Sequence, residues 1–215
     1  MHLLKKISIT IINGNYFPNR YTLSRKNFYM SKSIVYLTFV ILLLPPGLQA
    51  QMGFTIYPSE YQIKARYLYN FARFVDWPDQ TFLHSDSPFI IGILGEDPFG
   101  IDIDKTVEGK KIKNRSFKIK RYKNLESVGF CHILYIGIED YKKRKNAIKK
   151  LKGKNILTVS DKKNFAHNGG IINFIVKEKK IRFQINLQAV KESDILISSK
   201  ILRQADIINN QQPES

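Results

Sequence analysis

Residues 60–77 place Tyr61, Ala65, Leu68, Ala72 and Val75 at helical spacing, with Ile63, Tyr67, Phe71 and Phe74 widening the stripe. The pattern predicts an amphipathic helix with a broad buried face, capped by Ser59 and stopped by Pro78. The period then changes. Phe89 to Gly95 is a continuous apolar run ended by glycine, as in a strand buried on both faces. Ser116 to Tyr122 alternates Phe117 and Ile119 with Lys118 and Lys120, which predicts an edge or half-exposed strand. His132–Ile136 is a predicted buried strand and Asn155–Val159 a predicted strand, separated by a lysine-rich helix over 139–151 with Tyr141, Ile148 and Leu151 as its stripe and Gly153 as its stop. Ile171–Val176 and Ile181–Ile185 flank the charged turn 177–180 and predict a hairpin. Closing helices are predicted over 187–192 and 199–208. Helix alternating with strand implies an α/β fold of one domain: a mixed, mostly parallel sheet flanked by helices, with a C-terminal antiparallel hairpin.

Upstream, Ile34 to Leu44 is apolar, follows Lys32, and leads through Pro45-Pro-Gly47 to Ala50. That order of parts predicts a signal peptide over 30–50, cleaved after Ala50, too short in its apolar run to span a bilayer. Residues 1–29 then form an upstream extension, with translation expected to start at Met30; the alternative is a long basic leader. The predicted domain runs over 51–208, and the polar 209–215 is expected to be a disordered tail. The expected leader predicts an exported protein.

Charge changes this picture modestly. The 215 residues carry 35 Lys and Arg against 18 acids, and removal of 1–50 leaves a net +11. A basic exported domain suits an anionic surface or an acidic partner, and export argues against nucleic acid. Residues 105–123 hold nine cations and one acid, and 142–154 hold eight and none; docking surfaces and solvated faces both have this composition. The single Cys131 permits no internal disulfide and begins an apolar run, as a buried thiol would; an intermolecular bridge is the alternative.

The candidate chemistry is sparse. Gly95-Glu-Asp-Pro-Phe-Gly100 has the glycines of a phosphate loop, but Ile101 and Asp102 stand where Lys and Ser or Thr are needed, so it reads as a turn starting a short helix at Asp97-Pro98. His84, His132 and His167 are too scattered for a metal site. His132, at the mouth of a strand, reads as a hydrogen-bonded core residue. Ser160, Asp161 and His167 could converge as a hydrolase, although Ser160 and Asp161 more simply end a strand. No catalytic residue, metal or cofactor is expected.

Six blocks in order resemble the YfiR-like family of exported regulators. They are Ala65 to Pro78, Ile93 to Gly100, Cys131-His-Ile-Leu-Tyr-Ile136, Leu157 to Asp161 with Phe165 to Gly170, Arg182 to Asn186, and Ile197 to Leu202. The resemblance implies a non-enzymatic periplasmic protein that modulates the sensory region of a transmembrane signalling protein, a diguanylate cyclase or sensor kinase. It further implies a homodimer and an outer-membrane lipoprotein as a second partner. Arg66, Asn70, Trp77, His167, Asn186, Ser198 and Ser199 are the expected binding residues. The alternative is a periplasmic small-ligand domain whose apolar pocket is ringed by Arg66, Asn70, His167 and Asn186. Many relatives carry a cysteine at the position of Gly92 that can pair with the one matching Cys131; here that bridge cannot form.

Overall fold

The computed structural model describes residues 58–209 and, upstream, Tyr36 alone. The expected extension, signal peptide and tail therefore lie outside the described residues, apart from Tyr36 and Asn209. Helix α1 spans Glu60–Phe74. Ser59 Oγ accepts from Gln62 N, and Gln62 Oε1 accepts from Ser59 N, so two amides that the helix leaves unpaired are satisfied reciprocally. The helix ends three residues before the expected Trp77. Pro78 biases Trp77 toward extended backbone, and Val75–Asp76 instead forms β1, antiparallel to β9 (Leu196–Ile197). A long-range partner thus takes the last residues of a helical pattern.

The main sheet contains β2 (Phe89–Gly95), β3 (Lys111–Ile112), β4 (Arg115–Tyr122), β5 (Ile133–Gly137), β6 (Leu157–Ser160), β7 (Ile172–Lys177), β8 (Lys180–Asn186) and β10 (Asp206–Ile208). Their order is β10-β8-β7-β6-β5-β2-β4-β3. Strands β4, β2, β5, β6 and β7 are parallel, β8 runs back antiparallel to β7, and β10 is parallel to β8. The hairpin turn is two residues long, with Glu178 and Lys179 at φ 53° and 59°. That left-handed pair is what a tight hairpin demands, met here without glycine or asparagine.

Alternation along the strands divides the core. Ile91, Ile93, Ile133, Tyr135 and Val159 pack on the side of α1, with α2 (Asp102–Val107), α4 (Leu187–Lys191) and α5 (Ser199–Leu202). Leu94, Leu134 and Ile136 point the other way, onto α3 (Tyr141–Leu151). Strand β4 is half exposed as its alternation predicts, because only the two-residue β3 lies beyond it.

Three local expectations change. Tyr141 is exposed, and Arg144 takes its place on the buried side of α3, its guanidinium donating to the carbonyls of Ile138 and Glu139 at 2.7 and 2.8 Å. The turn at Asp97-Pro98 precedes helix α2, which begins only at Asp102. The expected helix over 199–208 stops at Leu202, and 206–208 adds to the sheet as β10. Pairing with β8 satisfies that strand's outer backbone groups and buries Ile208, which a longer surface helix would leave unmet.

Candidate functional site

In an open parallel sheet, ligands favour the crevice beyond the carboxyl ends of strands where the winding reverses. Here the reversal falls between β2 and β5, whose chains leave toward opposite edges. That crevice is closed. A Cβ on Gly137 would lie 2.1 Å from the Glu96 carbonyl oxygen, so the loop after β2 rests directly on the end of β5. The same loop holds its own anion: Asp97 Oδ1 accepts from the amides of Phe99 and Gly100 at 2.9 and 3.2 Å. Asp97 Oδ2 meets Arg121 Nε at 2.6 Å, and Arg121 also bonds Asp104 at 2.6 Å and the Gly100 carbonyl at 2.7 Å. The phosphate-loop likeness is thus answered by an internal carboxylate.

The chemistry at this end of the sheet moves one strand over, to the end of β6. Lys64, on the buried face of α1, is 2% exposed. Its Nζ lies 2.6 Å from Asp161 Oδ2 and 2.5 Å from Glu60 Oε1, and 4.4 Å from the centre of the Tyr61 ring. Tyr61 donates its hydroxyl to the same Asp161 oxygen at 3.1 Å. Tyr135 comes from β5 toward this carboxylate, and its buried Oη and Asp161 Oδ1 have no other hydrogen-bond partner among the described residues. Burial pushes the Asp161 carboxyl up, but bonding to Lys64 foremost overrides it and holds the group below the usual carboxylate range. Burial, reinforced by Asp161, pushes the Tyr61 phenol up to about 12. The cluster is a charged lysine on a charged carboxylate with two neutral phenols, and it ties α1 to the end of β6. Sequence reasoning missed Lys64 and Tyr135. A signal existed for the first: Lys64 stands three residues after Tyr61 and four before Leu68, inside the apolar stripe, and four after Glu60.

Beside this pair opens a cleft of about 440 Å³, whose walls include Glu60, Lys64, Asp161, Asn164, His167 and Phe174. Of the seven expected binding residues, His167 reaches this cleft. Arg66 is exposed on the outer side of α1, in a separate shallow depression with Gln62 and Lys110. Asn70 lies one turn further along and is half buried. Ser198 donates its amide to the Phe74 carbonyl at 2.9 Å and caps α5, bringing itself and Ser199 against the end of α1. Trp77 is buried, its indole N–H donating to the His132 carbonyl at 3.2 Å. Asn186 is buried too; it caps α4 and donates to the Ala166 carbonyl at 2.8 Å. Ser198 and Ser199 thus lie at the C-terminal end of α1, Arg66 lies beside α2 with Asn70 one turn further on, and Trp77 and Asn186 support the fold from within.

The hydrolase reading meets a direct obstacle. Ser160 Oγ donates its proton to the Ile136 carbonyl at 2.7 Å and accepts from Lys162 N, so the hydroxyl is spent on backbone. Among the described residues no three His, Cys, Asp or Glu side chains gather as metal ligands.

A family model described as YfiR/HmsC-like matches residues 61–206. This chain belongs to the YfiR/HmsC-like family. The match covers more than half of the sequence and runs from the first turn of α1 into β10. Members of the family are periplasmic regulatory proteins rather than enzymes, in the setting of cyclic-di-GMP signalling. No curated protein matches the sequence closely enough to add a relative by name.

Proposed function

We propose that this chain is an exported, non-catalytic regulator that binds the periplasmic sensory region of a transmembrane diguanylate cyclase or sensor kinase and sets its activity. Membership of the YfiR/HmsC-like family carries this reading. The polar groups at the sheet's carboxyl end support it, because Ser160, Asp97, Lys64 and Asp161 are all engaged in holding loops and α1 in place. Arg66, Asn70, Ser198 and Ser199 form the contact surface in this reading, the protein acts as a homodimer, and an outer-membrane lipoprotein is its second partner. The test is crosslinking in intact cells with the tagged full chain, followed by membrane solubilisation. An inner-membrane cyclase or kinase in the adduct is the expected result; a chain that crosslinks to no membrane protein would overturn the proposal.

The cleft at His167 favours a second reading, a periplasmic small-ligand domain. A thermal-shift screen with nucleotides, aromatic amino acids and glycans separates the two, since a bound ligand stabilises the fold by RT ln(1 + [L]/Kd).

A further inference from the structure

At the opposite end of the parallel strands lies a larger groove, of about 660 Å³, between the segment leading into β5 and the end of α3. Its apolar lining comes from Leu125, Val128, Phe130, Leu151 and Ile156. Phe130 is 44% exposed while its ring packs edge-on against His132 at 4.8 Å, so it is held in place with one side open. An anchored aromatic beside buried aliphatic side chains is the kind of surface on which binding energy concentrates.

The rim is cationic. Lys150 and Lys154 stand on it, with Glu126 as the one acid, 3.5 Å from Lys150 and well exposed. An exposed pair at that distance holds neither charge firmly. Lys154 makes no ion pair with any described residue, and Lys120 lies near enough for both ammonium groups to act on the thiol of Cys131. Segment 142–154 holds eight cations and no acid; Lys150 and Lys154 reach this rim, while Arg144 bonds carbonyls beyond the other end of β5 and Lys152 pairs with Glu192.

Three occupants are disfavoured by composition and shape. The chain's own segments 51–57 and 210–215 do not qualify: the first has no acid and the second no large apolar side chain. A second copy docking the same face would set like charges against one another. A lipid surface is flat and meets convex apolar protrusions, whereas these side chains line a hollow. We propose that the groove docks an acidic polypeptide segment of a partner protein, whose apolar side chain packs against Phe130, Leu151 and Ile156 while its carboxylates meet Lys150 and Lys154. This deepens the reading of the chain as a partner-binding regulator and rests on it, but not on which partner is regulated.

The test uses the full chain after leader removal and a fluorescein-labelled twelve-residue probe rich in glutamate, with two leucines four residues apart. A second probe has both leucines replaced by serine, and phosphatidylglycerol vesicles serve as the lipid alternative. The leucine probe should bind, and Lys150→Glu with Lys154→Glu should weaken it at least tenfold with an unchanged urea midpoint. Phe130→Ala should weaken the leucine probe about tenfold and leave any residual binding of the serine probe unaltered. No binding of the leucine probe, equal binding of both probes, or insensitivity to the lysine reversals would overturn the proposal. So would vesicle binding that the same reversals abolish while the probe stays bound. If the lysine reversals spare a cyclase or kinase crosslink seen with the wild type, the groove is rejected and the regulator reading stands. If the wild type crosslinks to no membrane protein yet binds the probe through these residues, the reverse holds.

Discussion

Acidification from pH 6.5 toward 4 should destabilise this domain through a single imidazole. His132 is 1% exposed and stacks against Phe82 and Phe89 with ring centroids 4.4 Å away in each case. Its Nδ1 accepts the amide of Ile90 at 3.0 Å, which assigns the proton to Nε2, an atom with no partner among the described residues. A second proton would turn that acceptor into a donor facing a donor. Burial, aided by the charge of Arg115, pushes the group from 6.5 down to about 4. A depressed folded value means that the unfolded chain binds the proton first. The stabilisation is therefore complete above pH 6.5 and is lost as pH falls toward 4, at about 1.4 kcal/mol per unit, or roughly 3 kcal/mol in all. Against a typical stability of about 5–15 kcal/mol this is a large fraction. Trp77 is the only tryptophan and its ring lies 5.9 Å from His132, so urea unfolding can be followed by its fluorescence. His132→Asn keeps an acceptor near the Ile90 amide and cannot titrate. Between pH 6.5 and 5 the wild type should lose about 1.5 kcal/mol more than this variant. Parallel pH profiles would refute the reasoning. Asp161 and Glu192 are held below the usual carboxylate range, so their losses come at lower pH and are shared by both proteins.

Replacing Lys64 by Met strands Asp161 beside two phenols and should cost about 3–5 kcal/mol by urea unfolding, whereas adding Asp161→Asn should restore part of it, revealing the coupling. Gly92→Cys places a Cβ 3.3 Å from Cys131 Sγ, with Leu134 Cδ1 at 2.8 Å obliged to shift. Oxidation should then close a loop of about 40 residues and stabilise by up to about 4 kcal/mol, less about 1–3 for the crowding, read as loss of both thiols in denaturant and a raised midpoint. In the wild type, burial pushes the Cys131 thiol up to about 12, so it should resist thiol reagents until the protein unfolds. Gly137→Ala forces a methyl into the Glu96 carbonyl and should yield little soluble protein, or a midpoint shift well beyond that of the exposed control Gly129→Ala.

Much of the fold was legible because it is local. The stripe of α1, the two-sided apolar runs of β2 and β5, and the alternation of β4 each record how many faces an element buries. The N-cap at Ser59 and the stop at Gly153, whose φ is +74°, are equally local. The seven expected binding residues were less legible as a group. Spacing along a helix places Arg66 and Asn70 on one side of α1, but nothing local tells that Asn186 is consumed by a cap and a carbonyl, or that Trp77 turns inward to His132.

The element types, the two-faced burial of the central strands and the membership of the family follow from the chain alone, since each depends on neighbouring residues or on their order. The end of α1 does not, because β9 lies about 120 residues away and claims Val75 and Asp76 through hydrogen bonds that no periodicity encodes. Folding likewise turned 206–208 from helix to strand, through the open edge of β8. The ion pair of Lys64 with Asp161 belongs to the same class: a lysine inside an apolar stripe is tolerable only where the fold delivers a carboxylate to it, and that delivery is made by the end of β6.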